Sequence, residues 1–212
     1  MSRITGCEER HQIPPKVMLM YTAVLQLMEE GADVTNIRVS SITERAGIGK
    51  GTAYEYFDSK EEIVACAIIY HIGQIFGWLE QQLFQQSTFR EQLDFLLEEM
   101  AKKDGRKYCF WRFVHLLTDR TELSRIIQEK MQSEEFAPFR PMAVFEKVLR
   151  SGVDRGELKG NMPMEYMVYS LFSHLLTYMM TITGEENLRI APEEMRECVR
   201  QGILRELLEE HP

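Results

Sequence analysis

Ser40-Ser41-Ile42-Thr43-Glu44-Arg45-Ala46-Gly47-Ile48-Gly49-Lys50-Gly51-Thr52-Ala53-Tyr54-Glu55-Tyr56-Phe57 is the stretch whose reading decides the fold. Two short helices crossed at a tight turn need a residue that takes a positive φ without penalty, and Gly47 stands where the first helix must stop. Counted outward from it, Ile42, Ala46, Ile48, Ala53 and Tyr56 are apolar at the spacings that turn inward when helices cross at roughly 90–120°. Ser41-Ile42-Thr43-Glu44 has the Ser-x-x-Glu pattern of a capping box and is expected to start the first helix. Gly49 stands at the N-cap of the second helix, without a side-chain acceptor to offer. The stretch reads as a helix-turn-helix.

Working outward, Ser59-Lys60-Glu61-Glu62 repeats the box, so a third helix is expected there, running on through Val64, Ile68, Ile72, Ile75, Leu79 and Leu83. Upstream, residues 1 to about 13 read as a loose arm ended by Pro14-Pro15, which suits a first helical turn. A helix to about Glu30 follows, with Val17, Met20 or Tyr21, Val24, Leu25 and Met28 as its apolar face and Gly31 closing it. Downstream, Gln85-Gln86-Ser87-Thr88 marks a corner. Helices are expected at about 88–102, 106–117, 120–132, 138–155, 163–183 and 192–209, broken at Asp104-Gly105, Gly156, Gly160-Asn161 and Gly184. Pro141, Pro163 and Pro192 fall in first turns, and no segment alternates with period two, so no sheet is expected.

At Ile42 to Glu61 the sequence resembles the tetracycline-repressor (TetR) family of bacterial transcriptional regulators. The resemblance is carried by Ala46-Gly47-Ile48, Lys50-Gly51-Thr52, Tyr54, Tyr56-Phe57 and Ser59-Lys60-Glu61. Thr43 and Gly49 depart from the family's usual alanine and serine; the Thr43 hydroxyl is expected to bond the preceding turn. The segment 32–39 is two residues longer than the family's usual connection. A second match is the Gly152-x-x-x-Gly156-Glu157-Leu158 stretch ahead of the last two helices. The resemblance implies an all-α chain. Residues 14–60 would form a three-helix DNA-binding domain, joined by a long helix to a larger effector-binding and dimerisation domain at 61–212.

Composition bounds the function. A net charge of −8 in 212 residues is unusual for a DNA-binding protein, so binding must rely on local cations such as Arg38, Arg45, Lys50 and Lys60, set among Glu44, Glu55 and Asp58. Strong salt dependence and reliance on a dimer are expected, and an acidic body discourages indiscriminate binding to nucleic acid. Cys7, Cys66, Cys109 and Cys198 are scattered with no histidine at ligand spacing, which fits a reducing cytoplasm rather than a disulfide scaffold or metal site. The first twelve residues lack a signal-peptide core and no uncharged apolar run reaches membrane-spanning length, so a soluble cytoplasmic protein is expected.

The family's geometry, carried over residue by residue, implies a DNA-binding surface of Ser40, Ser41, Lys50, Gly51, Thr52, Tyr54, Glu55, Tyr56 and Lys60. Gly51 lets backbone approach DNA, and Thr52 offers a hydroxyl and a methyl to base edges. Tyr54 is assigned to the DNA side, Tyr56 mainly to packing and Lys60 to a phosphate. Further on, thirteen methionines and an aromatic set suggest an adaptable interior. Met164, Val168, Leu171, Leu175, Met179 and Ile182 form a core stripe at helical spacing. The family's small-molecule site would then be lined by Tyr108, Phe110, Trp111, His115, Tyr166, Tyr169 and Phe172, with an apolar or aromatic effector. Its dimer contact would fall on Met195, Val199, Gly202, Ile203 and Leu207, giving a two-fold assembly and a palindromic operator.

Catalysis has little support: the chain has no phosphate loop, no Gly-x-Ser-x-Gly and no His-Glu-x-x-His, and its five histidines are far apart. No cofactor or metal is expected. The leading reading is a homodimeric repressor released by an effector. Against it stand a DNA-binding activator or architectural protein of the same fold, and a helical lipid- or small-molecule-binding protein or enzyme that keeps the helix-turn-helix as scaffold.

Overall fold

The computed structural model describes residues 13–102, 121–133, 141–183 and 190–209. The expected helix at 106–117, the breaks at Asp104-Gly105 and Gly184, and Tyr108, Phe110, Trp111 and His115 lie outside these residues. The described residues form helices joined by turns, with one isolated antiparallel bridge, Leu158 to Leu208, in place of any sheet. In chain order they are α1 (Pro15–Glu29), α2 (Val39–Ala46), α3 (Lys50–Tyr56), α4 (Lys60–Leu83), α5 (Phe89–Ala101), α6 (Glu122–Gln132), α7 (Pro141–Asp154), α8 (Met164–Thr183) and α9 (Pro192–Leu207).

The helices gather into two compact units. The first holds described residues 13–75 and 121–133; the second holds 76–102, 141–183 and 190–209, so α4 contributes to both. α4 is long and apolar enough to cross a membrane by length and composition, yet 67% of its most apolar window is buried inside the protein, as in a core helix.

In the first unit α1 packs on α2 and α3. Val17, Met20, Tyr21 and Val24 of α1 are buried, as are Ile42, Ala46, Ala53 and Phe57. The Tyr21 ring lies 6.2 Å from that of Phe57 and 5.6 Å from that of Tyr70 on α4. α6 buries Leu123 and Ile127, and its start is capped by Thr121, whose hydroxyl oxygen accepts the Ser124 N–H.

In the second unit α8 packs on α9 and α7, while α5 touches all three. α5 begins with a complete capping box between Thr88 and Glu91. The Arg200 guanidinium of α9 grips Asp94 of α5, with Nη2 3.2 Å from Oδ2. The Gly152–Leu158 stretch has a geometric reason. A Cβ on Gly152 would stand 2.7 Å from Leu158 Cδ1, and Gly156 takes φ 71°, a left-handed conformation that side chains resist. The chain then reverses, Leu158 is buried, and the Glu157 carboxylate accepts the Phe89 N–H at the start of α5. Burial pushes the Glu157 pKa up, but hydrogen bonds from Arg155 and Phe89 outweigh it and leave the carboxyl below its ordinary value.

Candidate nucleic-acid interface

Gly47 ends α2 at φ 66°, in the left-handed region, and its N–H bonds Glu44 O while Ile48 N–H bonds Thr43 O. The turn is therefore the one the sequence demands. Thr43 is buried at the α2 face and donates its hydroxyl to Ser40 O at 3.2 Å, as expected of a threonine in place of alanine. The start of α2 differs from expectation. The helix begins at Val39 with Arg38 as N-cap and no side-chain cap, so Ser41 and Glu44 lie inside it and form no capping box. A Ser-x-x-Glu pattern works only if the serine leaves helical φ/ψ, and here the helix has already begun two residues upstream. The second pattern holds in half: Glu62 N–H donates to Ser59 Oγ at 3.1 Å, opening α4 as expected, while the Glu62 carboxylate accepts the N–H of Asp58 rather than that of Ser59.

α3 has seven residues and turns on Ala53, which is fully buried. Spacings of three and four place Lys50, Gly51, Tyr54 and Glu55 on one arc, with Lys50 at its edge towards Ala53, and all four are exposed. Tyr54 is 51% exposed, and nothing lies within 4 Å of the position a Gly51 Cβ would take. Thr52 and Tyr56 sit half-buried at the edges of the arc, and Ser40 and Ser41 are half-buried on α2. An open backbone beside a phenol, a cation and a carboxylate is chemically able to meet both phosphate and base edges.

The cations divide into two groups. Arg45 Nη1 lies 2.5 Å from Glu30 Oε1 on α1, a hydrogen bond that lowers the Glu30 pKa and raises that of Arg45. Lys60 donates to Thr35 O at 2.8 Å and pairs with Glu61 at 3.1 Å, so it braces the α1–α2 connection instead of reaching outward to a phosphate. A small cavity of about 120 Å³ lies beside this brace, lined by Val34, Thr35, Lys60, Glu61, Val64, Thr121, Glu122 and Leu123. Arg38 and Lys50 are exposed and enter no ion pair among the described residues. Arg38 was counted among the local cations but not in the DNA-contact set, because the box at Ser41 placed the start of α2 too late.

The second unit redistributes the remaining expected residues. Tyr166 and Tyr169 are 52% and 67% exposed, so they line no interior pocket, and Phe172 is half-buried. The Tyr166 hydroxyl donates to Glu206 Oε1 at 2.7 Å, and Ser170 Oγ donates to Oε2 of the same carboxylate at 2.7 Å. The physical reason is periodicity. Tyr166 and Tyr169 stand two positions from Val168 and Leu171 of the core stripe, roughly 200° around the helix. That stripe is in place, with Val168, Leu171, Leu175 and Met179 buried. Val199, Ile203 and Leu207 of α9 are buried within their own unit, so they cannot meet a partner chain directly. Met195 and Gly202 are half-buried. Gly202 admits a close neighbour, but that neighbour is His174 of α8: a Cβ there would stand 3.0 Å from its Nε2.

Among the described residues no group of three or more His, Cys, Asp or Glu side chains could hold a metal ion. Cys66 is buried and Cys198 exposed, and no disulfide joins them among the described residues.

Known proteins share this arrangement. Residues 21–66, spanning the end of α1 through the start of α4, match the bacterial regulatory proteins of the tetR family. A fatty acid metabolism regulator protein of Bacillus subtilis (strain 168) is 23% identical over 147 residues, 68% of this chain and 72% of that protein. The crystal structure of the transcriptional regulator FadR from Bacillus subtilis in complex with stearoyl-CoA has a similar fold. It superposes with a TM-score of 0.62 at 19% identity, over 88% of this chain and 97% of that one. A transcriptional regulator from Saccharomonospora viridis in complex with choline gives a TM-score of 0.63 at 16% identity, over 92% and 98% of the two chains. Over residues 21–66 the chain is thus similar to the tetR family of bacterial regulatory proteins, and its fold is that of solved transcriptional regulators.

Proposed function

We propose that the protein is a homodimeric repressor that occupies a palindromic operator and leaves it when a long-chain acyl thioester binds the helical body. Residues 14–60 serve as the reading domain and 61–212 as the effector-binding and dimerisation body. The observation that carries the reading is the outward arc of α3, where Lys50, Gly51, Tyr54 and Glu55 are exposed around a buried Ala53. Ser40, Ser41, Thr52 and Tyr56 flank it, and Arg38 adds an exposed cation. A helix-turn-helix kept only as scaffold has no need of such an arc, which disfavours the lipid-binding or enzymatic alternative.

The dimer face is proposed on α8. Tyr166, Tyr169, Ser173, Leu176 and Met180 repeat at steps of three and four on its outer side, and four of the five are exposed, Leu176 being half-buried. A second copy would cover this stripe, with Val199, Ile203 and Leu207 fixing α9 from behind. Two-fold pairing doubles the phosphate contacts of a chain whose net charge is −8 and makes the operator a palindrome. The acyl thioester is suggested by the Bacillus subtilis relatives, one a fatty acid metabolism regulator and one bound to stearoyl-CoA. Release requires that the effector favour a conformation whose two reading heads no longer match the half-sites, since equal affinity for both states shifts nothing.

The experiment is selective DNA capture by the full chain, titrated with stearoyl-CoA. Loss of binding on titration supports a repressor, and retention with stearoyl-CoA bound points to an activator. Lys50→Ala and Tyr54→Ala variants with unchanged affinity and preference would sink the assignment of α3.

A further inference from the structure

Glu62 holds more than the start of α4. Its side chain is 10% exposed; Oε2 accepts the Asp58 N–H at 2.9 Å, and Oε1 accepts from Lys130 Nζ of α6 at 2.9 Å. Lys130 is itself only 14% exposed. Asp58 follows Phe57, the residue that ends α3 and whose N–H closes its last turn on Ala53 O at 3.0 Å. One carboxylate therefore joins α6 to the loop leaving the recognition helix. A capping box alone needs no lysine, because a glutamate at that position usually keeps its charge in water. Here the carboxylate is withdrawn from water and its counter-charge comes from a helix 68 residues away. A buried pair of this kind tolerates little separation, since either partner left alone is a desolvated charge.

We propose that Glu62 is a positioning residue for DNA recognition, and that Lys130 places the exit of α3 under the control of α6. The proposal rests on α3 being the DNA-reading helix. A shift of α6 draws Lys130, and through Glu62 the Asp58 amide, so the recognition helix is steered from α6. The neighbouring brace from Lys60 to Thr35 O holds the other side of this corner, and the cavity beside it leaves room for the start of α6 to move.

The test uses the full chain and the variants Lys130→Met, Lys130→Arg, Glu62→Gln and the Glu62→Gln/Lys130→Met pair. The pair removes both charges while keeping shape, so it folds even where a single variant strands a buried charge. Two quantities are read: amide exchange of residues 57–59 without DNA, and specific DNA affinity as a function of salt. Lys130→Met and the pair are expected to speed Asp58 exchange about tenfold or more relative to the α1 core. They should also weaken specific binding several-fold with no change in the salt slope, and Lys130→Arg should restore both quantities. Wild-type exchange and affinity in the pair would overturn the proposal. So would a salt slope reduced by about one in Lys130→Met, the mark of a lysine that touches phosphate itself. If the wild-type chain captures no selective DNA, the reading of α3 fails, while the link between Lys130 and Asp58 is still decided by the exchange data.

Discussion

The reading head and the α8–α9 pair both expose tyrosines, and the two sets have different neighbours. Tyr54 lies beside Lys50, Glu55 and the open backbone of Gly51 on a seven-residue helix whose inner side is a single alanine. Tyr169 lies on a twenty-residue helix among Tyr166, Leu176 and Met180, with a full apolar stripe behind it. A phenol among charges and bare backbone suits a polyanion, whereas phenols in an apolar row suit another protein surface. Exposure alone does not separate the two uses; the residues three and four positions away do.

Substitutions sharpen this contrast. The largest expected effect is on stability: Ile203→Ala empties a fully buried site in the second unit and should cost about 2–5 kcal/mol in chemical unfolding. A loss below about 1 kcal/mol would mean that α9 does not hold its unit together as described. Next, Tyr169→Lys should leave the isolated protomer's unfolding nearly unchanged while shifting sedimentation from dimer to monomer. Loss of stability with the dimer retained would reverse the roles given to α8 and α9. On the reading head, Lys50→Ala should weaken DNA binding with little effect on folding and reduce the salt slope by about one. Gly156→Ala forces a side chain into the left-handed region at the turn before Leu158 and should cost about 1–2 kcal/mol.

The smallest effect expected is the pH dependence set by His71, whose imidazole is held below its ordinary value by burial, with Glu29 pulling the other way. The unfolded chain then binds the proton more tightly than the fold does. Stability should be full above the ordinary imidazole range and fall as the pH drops through it towards the lower folded value. A His71→Gln variant should flatten that part of the pH profile.

How much of this was legible beforehand follows the same division. Around Gly47 the structure is dictated locally: a left-handed cap, a bonded Thr43 and a helix start capped by Ser59 are each visible in a few adjacent residues. The false box at Ser41 shows the limit, because a helix start also depends on what precedes it, and here α2 has already begun at Val39. In the second unit, helical period gave the core stripe of α8 and the lengths of α7, α8 and α9 to within a few residues. It did not say which apolar rows would be used up within the protomer. Val199, Ile203 and Leu207 look like any interface stripe until α8 is laid against them, and Lys60 looks like a phosphate ligand until Thr35 O is found beside it. The pairing of Glu62 with Lys130 was invisible for the same reason: it spans 68 residues and no local pattern announces it.

The central claim is that the arc of α3 reads DNA sequence in a two-fold assembly. Its most direct test is selection from a random duplex pool by the full chain and by a Lys50→Ala/Tyr54→Ala variant, followed by sequencing of what each retains. The account predicts that the wild-type chain enriches one inverted repeat and that the variant loses it. Absence of any enriched sequence, or enrichment of the same repeat by the variant, would contradict it.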